Sequence, residues 1–592
     1  MSITPRGMTI QEAYRLYREN RLLVNRKYQR KLVWFLHEKQ SLIESILKGY
    51  PIPLILLAEH AEHDGKGIYE IIDGIQRLNA IFSYIEQNFS YKDKYFDIKE
   101  LARAKQHADE KDFIEVSPLC ERLSRTECAN FVDYQLAVTI FPATKESEIT
   151  DVFGRINSGG QRLSPQDRRQ AGVVTNFSQL VRSVSSQIRG DVSRDTLPLT
   201  RMPEISIEHP QDQLGYSIKA EDTLWVKQGV ITIKQLRESE DEQIIADLAS
   251  SVLLNKPIAA SQELYDDLYS PDNELSKQVE NALAVYKPSR LSQELISTFS
   301  VLKDTIENFS SERFALRKQV NPKSGNPIKN IFYTIFMAFF KLVVEKQKTP
   351  VSPCDIMQSL YNLSSSITIS AHYSKTEDRV RNIDITKGLI EKHFVTRNPP
   401  SLGHGPGLII DFENSLRRSK IESAKYEFKQ GILQLSSNRQ IDKDLLDRII
   451  ETICGIANVG PQCDGYLFFG VCDTEQDAKR VKELDSITPL LVGEHNVVGI
   501  DREAKKLKKK LDNYIQIIIK HIQNSSLTNP LKTQILANID TFDYKGLSVL
   551  RIRIPIQNDI SFVGKVAFTR IGNSTVKVEG PDLLALNAQF KK

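Results

Sequence analysis

The sequence predicts a multidomain protein of mixed α/β and α+β class, with an α/β domain at each end and a helical region between them. Three observations carry this expectation. At 592 residues the chain is several times the usual domain length. Short apolar strands alternate with helices before residue 173 and again after 410, whereas 173–397 is helical and strand-poor. The stretch "NPPSLGHGPG" (398–407) packs three prolines and three glycines into ten residues, the composition of a linker. The expected divisions are therefore 1–172, 173–397, a linker at 398–410, and 411–592.

Residues 9–50 read as two amphipathic helices separated by "NRKYQRKLVW". "PIPLILLAE" is a short apolar run behind prolines, a buried strand. "GIYEIID" is a second strand that turns at Gly74 into a helix, with Ile75, Leu78, Ile81, Phe82 and Ile85 at helical spacing. "DYQLAVTIF" (133–141) alternates as a half-buried strand. In "FGRINSGGQRLSPQDRRQAG" the Asn-Ser-Gly-Gly run is a turn, and Ser164 and Pro165 are an N-cap and a first helical residue. After the linker come strand "KYEFK", helix "KDLLDRIIETICGIANV", strand "GYLFFGVCD", a helix over 501–523, and two hairpins, "ILANIDTFDYKGLSVLRIRIP" and "KVAFTRIGNSTVKVE".

Composition narrows the function classes less than the motifs do. Lys plus Arg is 79 and Asp plus Glu is 75, so the net charge is +4, and a nucleic-acid partner would have to be held by a local basic patch. The six cysteines lack paired metal spacing, which reads as a reduced, cytoplasmic protein. "MSITPRGMTI" has no basic-then-apolar signal pattern, and the most apolar run, "NIFYTIFMAFF", is too short to span a membrane.

In "YEIIDGIQRLNAI" a strand meets a helix through an Asp-Gly turn. A helix N-terminus presents unpaired N–H groups and a positive dipole end to phosphate. Arg77 could grip phosphate oxygens and Asp73 a metal or a ribose hydroxyl; an Asp-Gly turn with a surface salt bridge is the plainer reading. "YQRKLVW", "GYPIPLILL", "IIDGIQRL" and "FGRINSGGQRLSPQDRRQA", in this order and at these distances, resemble the N-terminal domain of the GmrSD family of modification-dependent restriction proteins, a ParB/sulfiredoxin-like fold. The family's Asp-Gly-Gln-Gln-Arg stands here as Asp73, Gly74, Ile75, Gln76, Arg77. The resemblance implies a site for a nucleotide, GTP or ATP, at Arg30, Asp73, Gly74, Gln76, Arg77 and Asn157, with NTPase activity an open extension of it. Many relatives finish with an HNH nuclease, and none of the ten histidines here sits in such a cluster.

At the other end, "ESAKYEFK" places Glu427 and Lys429 on one face of a strand, with Glu422 five residues before Glu427 and Asp473 at the end of "GYLFFGVCD". Adjacent strands would bring the three carboxylates to one sheet edge. Clustered carboxylates raise one another's pKa unless a cation sits among them, and hard oxygen donors suit Mg²⁺ or Mn²⁺. An edge strand decorated with charge against aggregation is the alternative. "ESAKYEFK", "ICGIANV", "GYLFFGVCD" and "AFTRIGNSTV" together resemble the Schlafen AlbA-type domain. That resemblance implies a catalytic metal triad of Glu422, Glu427 and Asp473; Lys429, from its place on the strand, would be a second electrophile beside such a metal. The family's "A-N-T-x-G-G" is replaced by "ANVGPQCDG" (457–465).

Lys505, Lys508 and Lys509, in "DREAKKLKKKLDNYIQIIIKHI", and Arg570, before the Gly572-Asn573 turn, are candidate phosphate contacts. A solvated lysine face and an arginine that braces its hairpin are the alternatives. The combined reading is a prokaryotic anti-phage defence protein in which a nucleotide-binding sensor controls a metal-dependent nuclease. RNA, including tRNA, is the favoured substrate. A modification-dependent endonuclease acting on phage DNA and a non-catalytic nucleic-acid-binding regulator stay open, as does a homo-oligomer.

Overall fold

The computed structural model describes residues 4–25, 32, 34–60, 67–142, 148–149, 152, 164–170, 173–191, 196–202, 205–206, 218–368, 375–396, 408–419, 423–461 and 463–590. Arg30, Asn157, Glu422 and the expected linker 398–407 lie outside them. The protein is mixed α/β and forms two compact units. One comprises Met1–Leu295, Ser310–Lys341 and Asp355–Lys392; the other comprises Ile296–Phe309, Leu342–Cys354 and His393–Lys592.

The first unit is built on a six-stranded mixed sheet. In spatial order its strands are Thr4–Thr9, Gln135–Pro142, Ile55–His60, Ile68–Asp73, Leu22–Asn25 and Thr196–Pro198. Ile55, Leu57, Ile71, Leu136 and Val138 face the helices Ile10–Arg18, Leu36–Leu47, Ile75–Ile85 and Arg125–Asp133, while Leu56, Ala58 and Ile72 face the opposite side. The first helix is shorter than its apolar spacing suggests. It stops at Arg18, Asn20 takes φ 56°, and Leu22–Asn25 pairs parallel to Ile68–Asp73. Three apolar residues that fit a helical stripe are thus claimed by the sheet. At Ser164 the expected cap is present: its hydroxyl accepts the Asp167 N–H at 3.1 Å, opening helix Pro165–Gln170. From Leu224 onward this unit is helical, including Glu240–Leu253, Ala315–Val320 and Lys329–Phe340.

The second unit carries a four-stranded sheet in the order Tyr426–Lys429, Gly465–Phe469, Leu547–Ile554, Ile539–Tyr544. The first pair is parallel, with Glu427 beside Leu467 and Lys429 beside Phe469. Leu467, Phe469, Leu550 and Ile552 pack against helices Lys443–Ala457 and Leu511–Asn524. Tyr426, Phe428, Phe468 and Phe542 pack against Phe412 of helix Ile409–Arg418. Burial on both faces is why "GYLFF" is apolar without alternation.

Two expectations need correction here. "GYLFFGVCD" is two strands in two sheets, because the chain turns at Gly470 (φ 96°), and Val471–Cys472 joins a separate three-stranded sheet with His495–Val497 and Leu490–Val492. A Cβ at Gly470 would lie 3.1 Å from the Cα of Gly499, so the backbones meet where only glycine fits. The 501–523 helix is also two, Asp501–Lys506 and Leu511–Asn524. Lys508 sits at φ 52°, its N–H bonds the Lys505 carbonyl and the Lys509 N–H bonds the Ala504 carbonyl, a Schellman ending. The apolar spacing survives the break: Ala504, Tyr514, Ile515, Ile518 and Ile522 are all buried. Among the described residues no helix is long and apolar enough to cross a membrane.

Candidate functional site

The short strand Tyr426–Lys429 buries alternate residues. Tyr426 and Phe428 enter the core, which turns Glu427 and Lys429 to the other face at the sheet edge. Lys429 Nζ lies 2.5 Å from Glu427 Oε1 and 3.7 Å from Asp473 Oδ2. One ammonium therefore serves two carboxylates, one on the edge strand and one just after the Val471–Cys472 strand of a different sheet. Arg570, on the hairpin formed by Ala567–Ile571 and Ser574–Val578, reaches the remaining oxygen of Glu427 at 2.8 Å. Side-chain exposure rises across the group, from 1% at Arg570 and 12% at Glu427 to 22% at Lys429 and 52% at Asp473. The site thus opens to solvent on the Asp473 side. Burial pushes the Asp473 carboxyl above its ordinary range; the Lys429 charge opposes this and the Glu427 charge adds to it.

His495, which the sequence reading did not single out, belongs to the same surroundings. Its Nε2 lies 2.9 Å from the Ser419 hydroxyl and its ring 4.4 Å from that of Phe428. Burial lowers its pKa, and the Asp473 charge pulls the other way. No signal in "GEHNVVG" could have marked it, because its neighbours come from residues 419, 428 and 473.

Glu503 is a second residue missed at the sequence level. Fully buried, it accepts the N–H groups of Ile432 and Leu433 and the Tyr514 hydroxyl, the last at 2.7 Å. A side chain on Gly431 would collide with this carboxylate. Glu503 thereby ties the chain just after the edge strand to helix Asp501–Lys506. Lys505, Lys508 and Lys509 of that helix and its Schellman turn are exposed. Arg570, in contrast, points inward.

In the first unit Gly74 has φ 105° and caps helix Ile75–Ile85, so the turn is built as the sequence implies. Arg77 bonds Asp73 Oδ2 at 2.7 Å and the Leu54 carbonyl at 3.0 Å, and Gln76 Oε1 accepts the Trp34 N–H at 3.4 Å. Asp73 and Arg77 thus form the local salt bridge of the plainer reading, with Asp73 43% exposed. His107, Glu110 and Asp112 form another cluster of donor atoms, all within 4.8 Å of one another; it is the one such trio of metal-ligand types among the described residues. Arg18 Nη1 lies 3.6 Å from Asp112, so a cation already neighbours it. Its His-x-x-Glu-x-Asp spacing was visible in the sequence.

No curated protein and no solved structure matches the chain. Two family models do. Residues 10–173 match the GmrSD restriction endonuclease N-terminal domain, and residues 422–579 match Schlafen, AlbA_2. The second match begins at Glu422 and encloses Glu427, Lys429, Asp473 and Arg570. The chain therefore fuses a region similar to the GmrSD N-terminal domain to a region similar to Schlafen AlbA_2, a pairing of nuclease- and defence-type domains.

Proposed function

We propose that this protein is a prokaryotic anti-phage defence nuclease. In this reading a ParB-like domain (1–172) with its helical extension (173–397) binds GTP or ATP and controls a Schlafen-type domain (411–592) that cleaves RNA. The observation that carries it is the sharing of Lys429 between Glu427 and Asp473 at a solvent-facing sheet edge. Two carboxylates that share one cation are a donor set of hard oxygens, chemically suited to Mg²⁺ or Mn²⁺, with Glu422 as the third donor. A divalent ion bound there would supply charge neutralisation and an activated water for phosphodiester cleavage.

The chain's own residues do the rest. Asp473, the most exposed acid, faces incoming substrate. The mobile point charge of Lys429 can leave its carboxylates for a non-bridging phosphate oxygen as negative charge develops there. Lys505, Lys508 and Lys509 hold the strand by its backbone without reading its sequence. Asp73 and Arg77 exchange their mutual salt bridge for nucleotide contacts, Arg77 to phosphate.

The test is incubation of purified protein with tRNA, ribosomal RNA and phage DNA, with Mg²⁺ or Mn²⁺, with and without GTP or ATP, beside Glu427→Gln. RNA cleavage that falls about 1,000-fold or more in the variant is the expected result. Equal cleavage by the variant removes the catalytic assignment. Cleavage of modified DNA alone moves the protein to the restriction class.

A further inference from the structure

Sequence alone leaves Arg570 open between a phosphate contact and a brace of its own hairpin. Its surroundings suit another task. The guanidinium is 1% exposed and bonds Glu427 Oε2 at 2.8 Å, Thr575 Oγ1 at 3.2 Å and the Tyr426 carbonyl at 3.2 Å. An arginine that reads phosphate presents its fork to solvent, and this one has spent it on a carboxylate and on the edge strand itself.

The hairpin that carries Arg570 is in turn held by Asn458, at the end of helix Lys443–Ala457 and fully buried. Its amide nitrogen donates to the Ser561 and Phe568 carbonyls, each at 2.8 Å, and its amide oxygen accepts the Ser561 N–H at 2.8 Å. The Thr569 hydroxyl donates to the Asn458 carbonyl at 3.3 Å. Thr452 and Thr575 meet at 3.2 Å and close the other strand of the hairpin on the same helix. Phe568 and Thr569 directly precede Arg570, so Asn458 fixes the backbone from which the guanidinium reaches. The departure from the family pattern in "ANVGPQCDG" begins after this asparagine and leaves the clamp intact.

We infer that Arg570 is a positioning residue, held by Asn458, that fixes the Glu427 carboxylate at the sheet edge and makes no substrate contact. Lys429 is then the movable cation of the pair and Arg570 the fixed one: when Lys429 turns to substrate, Glu427 keeps its place. This inference rests on the nuclease reading above.

The test compares wild type, Arg570→Ala, Arg570→Lys and Asn458→Asp in the full-length protein. Three quantities are read for each: the cleavage rate at saturating RNA, the RNA dissociation constant without cleavage, and the thermal midpoint. The expected result for Arg570→Ala is a rate about 100-fold lower with RNA affinity within about threefold, the mark of a group that acts on the chemistry and not on binding. Arg570→Lys restores a cation and recovers part of that rate. Asn458→Asp loses the two amide donors and slows cleavage about tenfold with affinity unchanged. If Arg570→Ala weakens RNA binding as much as it slows cleavage, or if a folded Arg570→Lys protein is no faster than Arg570→Ala, the assignment is overturned. A hairpin brace alone would lower the thermal midpoint and leave the rate of the folded fraction unchanged, which also overturns it. Wild-type protein that cleaves neither RNA nor DNA brings down the nuclease reading and this inference together; cleaving wild type with an equally active Arg570→Ala brings down the inference alone.

Discussion

In the first unit Arg77 reaches Asp73 across four residues; in the second Arg570 reaches Glu427 across 143. The first pair is made by one turn and the helix it opens, and its carboxylate is 43% exposed. The second requires an edge strand, a helix, an asparagine clamp and a hairpin, and its carboxylate is 12% exposed. A local, wet pair contributes about 0–1 kcal/mol and is free to exchange partners, which suits the sensor role proposed for this unit. A distal, dry pair is held by everything around it, which suits a site that must not move.

The contrast is sharpest where a single methyl group should break the distal architecture. Gly431→Ala drives a side chain into the buried Glu503 carboxylate, which is held by Ile432, Leu433, Arg439, Arg502 and Tyr514 and has nowhere to go, and about 3 kcal/mol of stability should be lost. Denaturant unfolding of the variant against wild type measures it. Loss below about 0.5 kcal/mol would mean that the strand end is softer than drawn.

A buried acid group without an arginine beside it carries its own signature in the pH dependence of stability. Asp304 is pushed up to about 6 by burial and by the charges of Asp543 and Glu307, with Asn308 and Lys545 opposing. Its folded pKa lies above the ordinary 3.8, so the folded state holds the proton that the unfolded chain gives up, and stability falls as pH rises from about 4 to 6. Asp304→Asn should remove that slope and add about 1–2 kcal/mol at pH 7, allowing for solvent screening. Thermal melts across pH 4–8 read both, and a variant with an unchanged slope contradicts it.

The lysine turn is exposed, so it should act on affinity only. Replacing Lys505, Lys508 and Lys509 with alanine should weaken RNA binding and reduce the slope of log affinity against log salt by about 2, the value for three single-strand phosphate contacts. An unchanged slope would return these lysines to a solvated face. The smallest effect belongs to the local pair. Asp73→Asn should cost less than about 1 kcal/mol in a thermal melt, while any shift of that melt by GTP or ATP is lost. A nucleotide shift that survives the substitution would remove Asp73 from the nucleotide site.

What the sequence disclosed follows the same division between local and distal. The Gly74 turn, the Ser164 cap, the Tyr426–Lys429 alternation and both hairpins are signals a few residues long, and each is present. The first helix and the 501–523 helix were drawn too long. Apolar spacing reports which face is buried and is silent about strand pairing at Leu22–Asn25 or a Schellman ending at Lys508. Glu427, Lys429 and Asp473 were visible through a resemblance and do meet at one edge. His495, Glu503 and the bond from Arg570 to Glu427 were not, because each depends on residues tens to more than a hundred positions away.

The joint at Gly470 bears on the ion site proposed above. Glu427 stands on one sheet and Asp473 directly follows the Val471–Cys472 strand of the next, and the chain passes from one to the other where Gly470 and Gly499 touch. The opening between the two carboxylates is therefore set like the gap of a calliper, by a backbone hinge some residues behind the jaws. Rotamer changes at the jaws trim that gap, whereas any bulk at the hinge resets it. For the metal site proposed above, the accepted ionic radius would then be written in two residues that have no side chains.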